Sequence, residues 1–503
     1  MSGVVSGNHA LEQDLFNNEC LLQNILAYLQ PQHLPPCALV NSQWYHFVAE
    51  QLYRKVPLKR QILLPQIFSI GRNPQLGSFV RELRIDSSKL RHNVYISEEF
   101  RDLMSALCQS CVNLQRLWFT YNRKEDSEWL AMLIHNAPGL TYLNFDVVNK
   151  SNAVFGSLIN VWENLETLEI THSTSNFIRE SDDFTRVLKT HSKLTHIVIM
   201  GDVDIPDILM QGLSENCSKL RSLTLGSRHS FGSFSLSEKA LSTLVKNTPE
   251  LRTLNLGTTD SNILLQGVDW LSDVGNHCKE LKCLRWNVSL NPNVFQDSSK
   301  FKALLRPFSS LTTLNISGLS IHFVFAMIEE ASHLSHTLST LVLKEVGESE
   351  QVEKEARLLS YIPILFPNLS HLELHCYLNQ ILNRCVPNIL KGLEKLEVAV
   401  ISAIGAVLED EDVEGGEADS THNPSTHVAS WFEDELQHPL HLTSLRFLKL
   451  ESIRVTNQLI NALSHSCPNL AKLYILSYFS RIYTPIDFSV SNMFKYVAYA
   501  LLL

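Results

Sequence analysis

A six-residue pattern, Leu-x-x-Leu-x-Leu with Ile, Val, Trp or Phe allowed at the later positions, recurs along this chain and constrains it more than any other feature. Its first leucines are Leu114, Leu140, Leu165, Leu194, Leu220, Leu251, Leu281, Leu311, Leu338, Leu369, Leu393, Leu445 and Leu470. Neighbouring copies lie 24–31 residues apart, except for one interval of 52 between Leu393 and Leu445. A repeat of this period builds a stack of like units, each burying its apolar face against the next. The length of 503 residues therefore does not call for several separate cores, because a stack grows without enlarging any one core. Such a stack offers one long lateral surface, which suits recognition.

Inside each unit the apolar period changes. The Leu-x-Leu part alternates, so it reads as a strand with one apolar face. The connecting part turns helical. Ser235 and Glu238 have capping-box spacing ahead of Ala240, Leu241, Leu244 and Val245. Phe184, Val187 and Leu188, and later Leu459, Ile460 and Leu463, show the same helical spacing. One strand and one helix per unit make neighbouring strands parallel. The array is expected to run from about 75 to 485, opened by a degenerate unit at Val80-Leu83-Ile85, with 486–503 as a C-terminal cap or tail.

Charge and cysteine content narrow the function classes. The net charge is -10, and seven acidic residues between Glu409 and Asp419 leave only -3 for the rest. No broad basic footprint exists for nucleic acid. The acidic stretch, about 405–430, reads as a disordered insertion that a loop tolerates at small thermodynamic cost. The N-terminus lacks the basic-then-apolar pattern of a secretory signal, and the most apolar terminal stretch, Tyr496 to Leu503, is too short to span a bilayer. Ten cysteines in so long a chain are not a disulfide framework, so a cytoplasmic or nuclear setting is expected.

No constellation carries bond chemistry. Cys108-Gln-Ser-Cys111 has the spacing of half a zinc site, but no second pair follows, and small buried cysteines are the reading. The twenty histidines form no ligand pair, and there is no phosphate-cradling loop, nucleophile elbow or kinase motif set. No catalytic residue, metal or cofactor is expected, and no membrane or nucleic-acid partner.

Ahead of the array, residues 1–14 read as a flexible tail and 15–56 as a small helical module. Leu21, Leu22, Ile25, Leu26 and Leu29 recur at helical spacing, and Pro31 sits at a turn. A second short helix carries Leu34 and Ala38, and a third carries Trp44, Phe47, Val48 and Leu52. About forty residues make a marginal core, so the module needs a partner or the array to cover its apolar faces.

These residues resemble a known family. Leu29, Leu34, Leu39-Val40 and Trp44 match the F-box pattern in type and spacing, and Leu52-Tyr53 fits its closing element. Cys111, Cys217, Cys278 and Cys467 each stand three residues before a repeat leucine, as in the cysteine-containing subclass of leucine-rich repeats. The chain thus resembles F-box and leucine-rich-repeat proteins of fungal type. Two departures stand out: Asn17-Asn18-Glu19-Cys20 replaces the usual Leu-Pro-x-Glu opening, and Asn follows the strand only at Asn122.

The resemblance implies an α/β leucine-rich-repeat solenoid, with parallel strands on the concave side and helices on the convex side, behind a three-helix F-box module. It implies a non-catalytic substrate receptor of a Skp–cullin–F-box ubiquitin ligase. Leu21, Leu22, Ile25, Leu26, Leu29, Leu34, Val40 and Trp44 would bind the Skp-type adaptor, and through it a cullin–RING ligase. A target protein would meet the outward strand positions. One column reads Trp118, Asn144, Glu169, Val198, Thr224, Asn255, Arg285, Asn315, Val342, Glu373, Glu397, Lys449 and Tyr474, and Arg116, Tyr142, His196, His371 and Phe447 flank it. Trp118, Tyr142, Arg285 and Tyr474 are the expected anchors, since Trp, Tyr and Arg dominate interfaces. The alternative is a leucine-rich-repeat scaffold or inhibitor that works without ubiquitin.

Overall fold

The computed structural model describes residues 19–58, 69–86, 98–121, 124–147, 164–173, 186, 188–189, 192–201, 207–226, 234–235, 237–257, 263–265, 268–290, 301–302, 304–346, 352–376, 379–403, 442–451 and 466–476. The acidic insertion and both termini lie outside these. The chain divides into two units, Met1–Leu220 and Arg221–Leu503. Both are stacks of strand–helix coils of the leucine-rich-repeat kind.

The first unit opens with three helices, α1 (Glu19–Tyr28), α2 (Leu34–Cys37) and α3 (Ser42–Tyr53). Asn41 caps α3, its side chain accepting from the Trp44 amide at 2.9 Å. The chain then passes straight into β1 (Lys55–Leu58), a strand that the sequence pattern does not announce. It continues through α4 (Pro74–Ser78), β2 (Glu82–Asp86), α5 (Glu98–Ser110), β3 (Arg116–Tyr121), α6 (Lys124–Asn136), β4 (Tyr142–Val147), β5 (Thr167–Ser173), β6 (His196–Gly201) and α7 (Asp207–Asn216). Strands β1 to β6 pair in sequence order, all parallel. The module is thus fused to the array: β1 pairs with β2, and His46 on α3 packs edge-on against Phe79, ring centroids 4.9 Å apart.

The second unit contains β7 (Ser222–Gly226), β8 (Phe234–Ser235), α8 (Glu238–Asn247), β9 (Thr253–Leu256), β10 (Ile263–Leu265), α9 (Asp269–His277), β11 (Cys283–Leu290) and β12 (Thr313–Ser317). Next come α10 (Ile321–Glu329), β13 (Thr340–Val346), α11 (Val352–Ser360), α12 (Ile362–Leu365), β14 (His371–Cys376), α13 (Asn379–Gly392), β15 (Val398–Ala403), β16 (Phe447–Glu451) and β17 (Lys472–Leu476). The main ladder runs β7, β9, then β11 to β17, all parallel. A second short ladder joins β8, β10 and the far end of β11. Among the described residues no helix is long and apolar enough to cross a membrane.

Three interactions make the coil repeat. The pattern leucines are buried, Leu117, Leu143, Leu254 and Leu314 completely, and each such side chain contributes ~1.5–3 kcal/mol. Before the strand, a tight turn brings the first leucine's amide onto the carbonyl three residues back: Leu114 to Cys111 at 3.3 Å, Leu220 to Cys217 at 3.0 Å, Leu281 to Cys278 at 3.1 Å. Between coils, one carbonyl accepts two amides of the next coil. Gln115 O takes Thr141 N at 2.9 Å and Tyr142 N at 3.1 Å, and Arg252 O takes Lys282 N at 2.8 Å and Cys283 N at 3.0 Å. The relay begins at the module itself, where Arg54 O accepts Arg81 N at 3.0 Å and Glu82 N at 2.9 Å.

Two sequence expectations need correction. The cap of α8 is Ser237, whose side chain accepts from the Ala240 amide at 3.1 Å, while Ser235 lies in β8. Ser235 and Glu238 are therefore not a capping box, because the chain is still paired as a strand at Ser235. The unit read as Leu393-Leu396-Val398 is shifted by three residues. In β15, Ala399 pairs with Leu372 and Leu448, and Ile401 with Leu374 and Leu450, so the unit is Leu396-Ala399-Ile401. Alanine at the middle position breaks the pattern, and Leu393 fills the turn position that cysteine takes elsewhere, as the 3.2 Å bond from Leu396 N to Leu393 O attests. Glu397 thus precedes the strand, and Val400, 7% exposed, takes its place in the outward column.

The break after β15 leaves the ladder intact. Glu397 O accepts Arg446 N at 2.9 Å and Phe447 N at 3.0 Å, so β15 and β16 pair directly across the insertion.

Candidate protein-binding surfaces

The helical module keeps its own core. Leu22, Leu26, Leu34, Phe47 and Val48 form the buried cluster, with Leu29, Cys37, Ala38, Trp44 and Leu52 packed against it. Of the eight residues named from sequence, Leu22, Leu26 and Leu34 are therefore interior, Leu29 and Trp44 half-buried, and only Leu21, Ile25 and Val40 exposed. The exposed apolar set also takes in Tyr28 at 90% and Leu39 at 87%. Leu21, Ile25 and Tyr28 stand at i, i+4 and i+7 on α1, one stripe about 100° round the helix from Leu22 and Leu26. Leu39 and Val40 sit in the turn between α2 and α3, held by amide bonds to Pro36 O at 3.2 Å and Cys37 O at 3.3 Å. Tyr28 carries no periodic signal beyond Leu21 and Ile25, and only burial separates it from Leu29.

On the strand face of the first unit, Trp118 and Tyr142 come together, their ring centroids 4.8 Å apart on adjacent strands. Two arginines meet them. The Arg84 guanidinium carbon lies 5.2 Å from the Trp118 centroid, and that of Arg116 lies 5.0 Å from Trp118 and 4.7 Å from Tyr142. These are cation–π distances. The Tyr142 hydroxyl donates to Glu169 Oε2 at 2.7 Å, and Asn144 Nδ2 donates to the same oxygen at 2.5 Å. Burial, together with the hydrogen bond to the Glu169 carboxylate, pushes the Tyr142 phenol up to about 12, so it stays a donor. Arg84 was absent from the expected column, which began at Trp118; the register Arg84–Trp118 extends it by one strand.

On the second unit's strand face the other two expected anchors stand apart. Arg285, exposed on β11, and Tyr474, half-buried on β17, are six strands from each other. Tyr474 packs against Phe447 at 5.3 Å. Between them Glu373 gathers His371 Nε2 at 2.8 Å, His375 Nε2 at 3.7 Å and Lys344 Nζ at 4.0 Å. The two imidazoles, His371 first, hold its carboxyl well below the usual range, against the opposing effect of burial. Val342 and Val400 are buried, so this part of the column offers little to a partner.

The coil-to-coil contacts use residues that the leucine pattern passes over. Asparagines just before the first leucine reach back to the preceding coil: Asn113 Nδ2 to Ser78 O at 2.8 Å, Asn164 to Pro138 O at 3.0 Å and Asn368 to Ser335 O at 3.1 Å. At equivalent places Arg221 pairs with Glu250 and Arg252 with Glu280. Cys108 and Cys111 are buried; burial drives Cys111 to about 12 and Cys108 well above its ordinary value. Cys108 donates to Trp129 O at 3.6 Å. Among the described residues no group of three or more His, Cys, Asp or Glu side chains could hold a metal ion.

No protein-family model matches the chain, and no curated protein matches it. Solved structures do. A chain of the yeast Rad7–Elc1 complex aligns with a TM-score of 0.41 and 13% identity, over 96% of this chain and 98% of that one. A chain of the TLR13 complex with single-stranded RNA aligns with a TM-score of 0.30 and 13% identity, over 75% of this chain and 62% of that one.

Proposed function

We propose that this chain is a non-catalytic receptor subunit: its helical module docks on a Skp-type adaptor of a cullin–RING ubiquitin ligase, and its strand face holds a target protein. The observation that carries the reading is the exposed apolar set Leu21, Ile25, Tyr28, Leu39 and Val40 on a module whose core is already filled by other residues. Large exposed apolar side chains grouped on one small element mark an interaction site. Five of them on about twenty residues exceed what folding requires. The F-box resemblance of the sequence names the adaptor. The chain would contribute proximity, holding a target lysine near activated ubiquitin at high effective concentration.

The test is co-expression of the full chain with a Skp-type adaptor. The wild-type chain co-purifies. The double variant Ile25→Asp/Val40→Asp loses the adaptor, while its circular dichroism and melting temperature stay at wild-type values. Co-purification that survives the double variant, or no co-purification of the wild type, overturns the reading.

One observation favours a second reading. Because β1 extends the sheet and Arg54 O begins the carbonyl relay, the module also closes the N-terminal end of the array. A scaffold without ubiquitin chemistry needs such a cap. Under that reading, removing residues 1–53 destabilises the array and no adaptor is bound.

A further inference from the structure

The first unit's strand face carries a feature that coil packing does not need. Arg84 and Arg116 are both exposed, and Trp118 and Tyr142 half-buried beside them. Several surface arginines elsewhere in the array pair with carboxylates: Arg221 with Glu250, Arg252 with Glu280, Arg306 with Glu330 and Arg384 with Glu353. Arg84 and Arg116 instead rest on aromatic rings. Four carboxylates share this face: Glu82 pairs with Lys55 at 3.3 Å, Glu169 accepts from Tyr142 and Asn144, and Asp86 and Asp146 stand two residues beyond Arg84 and Asn144 on their strands. Among the described residues neither arginine forms an ion pair with these carboxylates.

Stacking fixes a guanidinium's plane and leaves its in-plane N–H donors available, which suits bidentate capture of a carboxylate. It also lowers the ordering cost, because the side chain is held before the partner arrives. The two arginines approach the indole by different routes. Arg84 comes from the neighbouring strand, directly opposite Trp118, whereas Arg116 comes from Trp118's own strand, two residues back. Two separate single charges are matched by two separate carboxylates better than by one compact dianion.

We infer that Arg84, Arg116, Trp118 and Tyr142 form a docking surface for an extended, acidic protein segment, with carboxylates on the two arginines and an apolar side chain over the indole. From the strand of Arg84 to that of Glu169 is three strand spacings, about 14 Å, or about four extended residues. Glu169 closes the far end and excludes a segment whose negative charge continues past it. The inference names the target class for the receptor role proposed above, and it is read by direct binding with no adaptor present, so the two fail separately.

The test measures fluorescence anisotropy of the full chain with labelled peptides of about twelve residues. The probe peptide holds two or three Asp or Glu around one Leu or Phe in a Gly/Ser frame. A Lys-for-acid peptide, a phosphoserine peptide and a single-stranded oligonucleotide are run beside it. The acidic peptide binds, weakening as salt rises, and Arg84→Glu/Arg116→Glu lowers its affinity at least ~10-fold. The control Lys239→Glu/Lys302→Glu makes the same change of net charge at two other exposed lysines and costs less than ~2-fold. Trp118→Ala loses affinity for the Leu or Phe peptide but not for one with Gly at that place. Equal losses in both double variants mean only net charge is felt, and they overturn the inference. So does tighter binding of the phosphoserine peptide or the oligonucleotide, or no binding of the acidic peptide by a wild-type chain with a normal melting transition.

Discussion

Replacing Gly257 by alanine tests the reading of how one coil hands over to the next. Gly257 follows β9 with φ +83, in the left-handed region. Its amide donates to Leu225 O at 2.7 Å on the strand to one side. A Cβ there would lie 2.0 Å from the carbonyl oxygen of Asn287, on the strand to the other side. The conformational cost of a side chain at this φ is ~1–2 kcal/mol. Relieving the overlap requires the backbone to move by about 1 Å, since the obstacle is a carbonyl rather than a flexible side chain. That movement weakens the bond to Leu225, worth ~1 kcal/mol. The expected loss is therefore about 3 kcal/mol. Gly139→Ala is the comparison: its nearest neighbour would be Leu114 O at 4.0 Å, and the change should stay within ~0.5 kcal/mol. Urea denaturation followed by far-UV circular dichroism gives both numbers. Hydrogen exchange adds location, with faster exchange in β7, β9 and β11, because coils of a stack couple chiefly to their neighbours. A Gly257→Ala variant within ~0.5 kcal/mol of wild type would refute the account.

Three further outcomes follow. Leu26→Ala, at a side chain 1% exposed, should cost the module ~2–5 kcal/mol in melting experiments, whereas Ile25→Ala, at 43% exposure, should cost less than ~1 kcal/mol; similar losses would mean that core and surface have been exchanged. Because the folded-state carboxyl of Glu373 lies below its unfolded value of ~4.3, its stabilisation is present above that pH and is lost as pH falls below it, so Glu373→Gln should flatten the acid limb of a melting-temperature profile between about pH 5 and 3. Native protein should give a fast thiol reaction at exposed Cys20, while Cys108, Cys111, Cys217, Cys278, Cys376, Cys385 and Cys467 react only at the rate of unfolding; fast labelling of those seven would contradict their burial.

The leucine pattern made the strands legible because a buried column needs the same side-chain shape in every coil. It failed at β15, where Ala399 is small enough to stand in the column yet invisible to a leucine search, and Leu393 supplied a false match. It failed at β1 for another reason: Val56 is buried in a strand that follows α3 without a turn signal. Surface clusters are harder to read from sequence than the core. Trp118 and Tyr142 were named by residue type, whereas Arg84, inside the degenerate unit Val80-Leu83-Ile85, joins them only through the pairing of its strand with that of Trp118. In the module, sequence spacing could not tell Leu22 and Leu26 from Leu21 and Ile25, because two overlapping helical stripes satisfy the same period and only packing decides which one faces α3.

The carbonyl of Arg54 sets a mechanical condition on the whole N-terminal region. Since it holds Arg81 and Glu82 as every later relay carbonyl holds its successor, the helices before it are indexed to the first strands like the leading tooth of a rack. Whatever grips α1 from outside is then delivered at a fixed bearing to Arg84, Trp118 and Tyr142, with no swivel of the kind a Gly/Ser tether would introduce. Lengthening the chain at residues 54–55 by a few glycines would free that bearing while leaving both surfaces chemically unchanged.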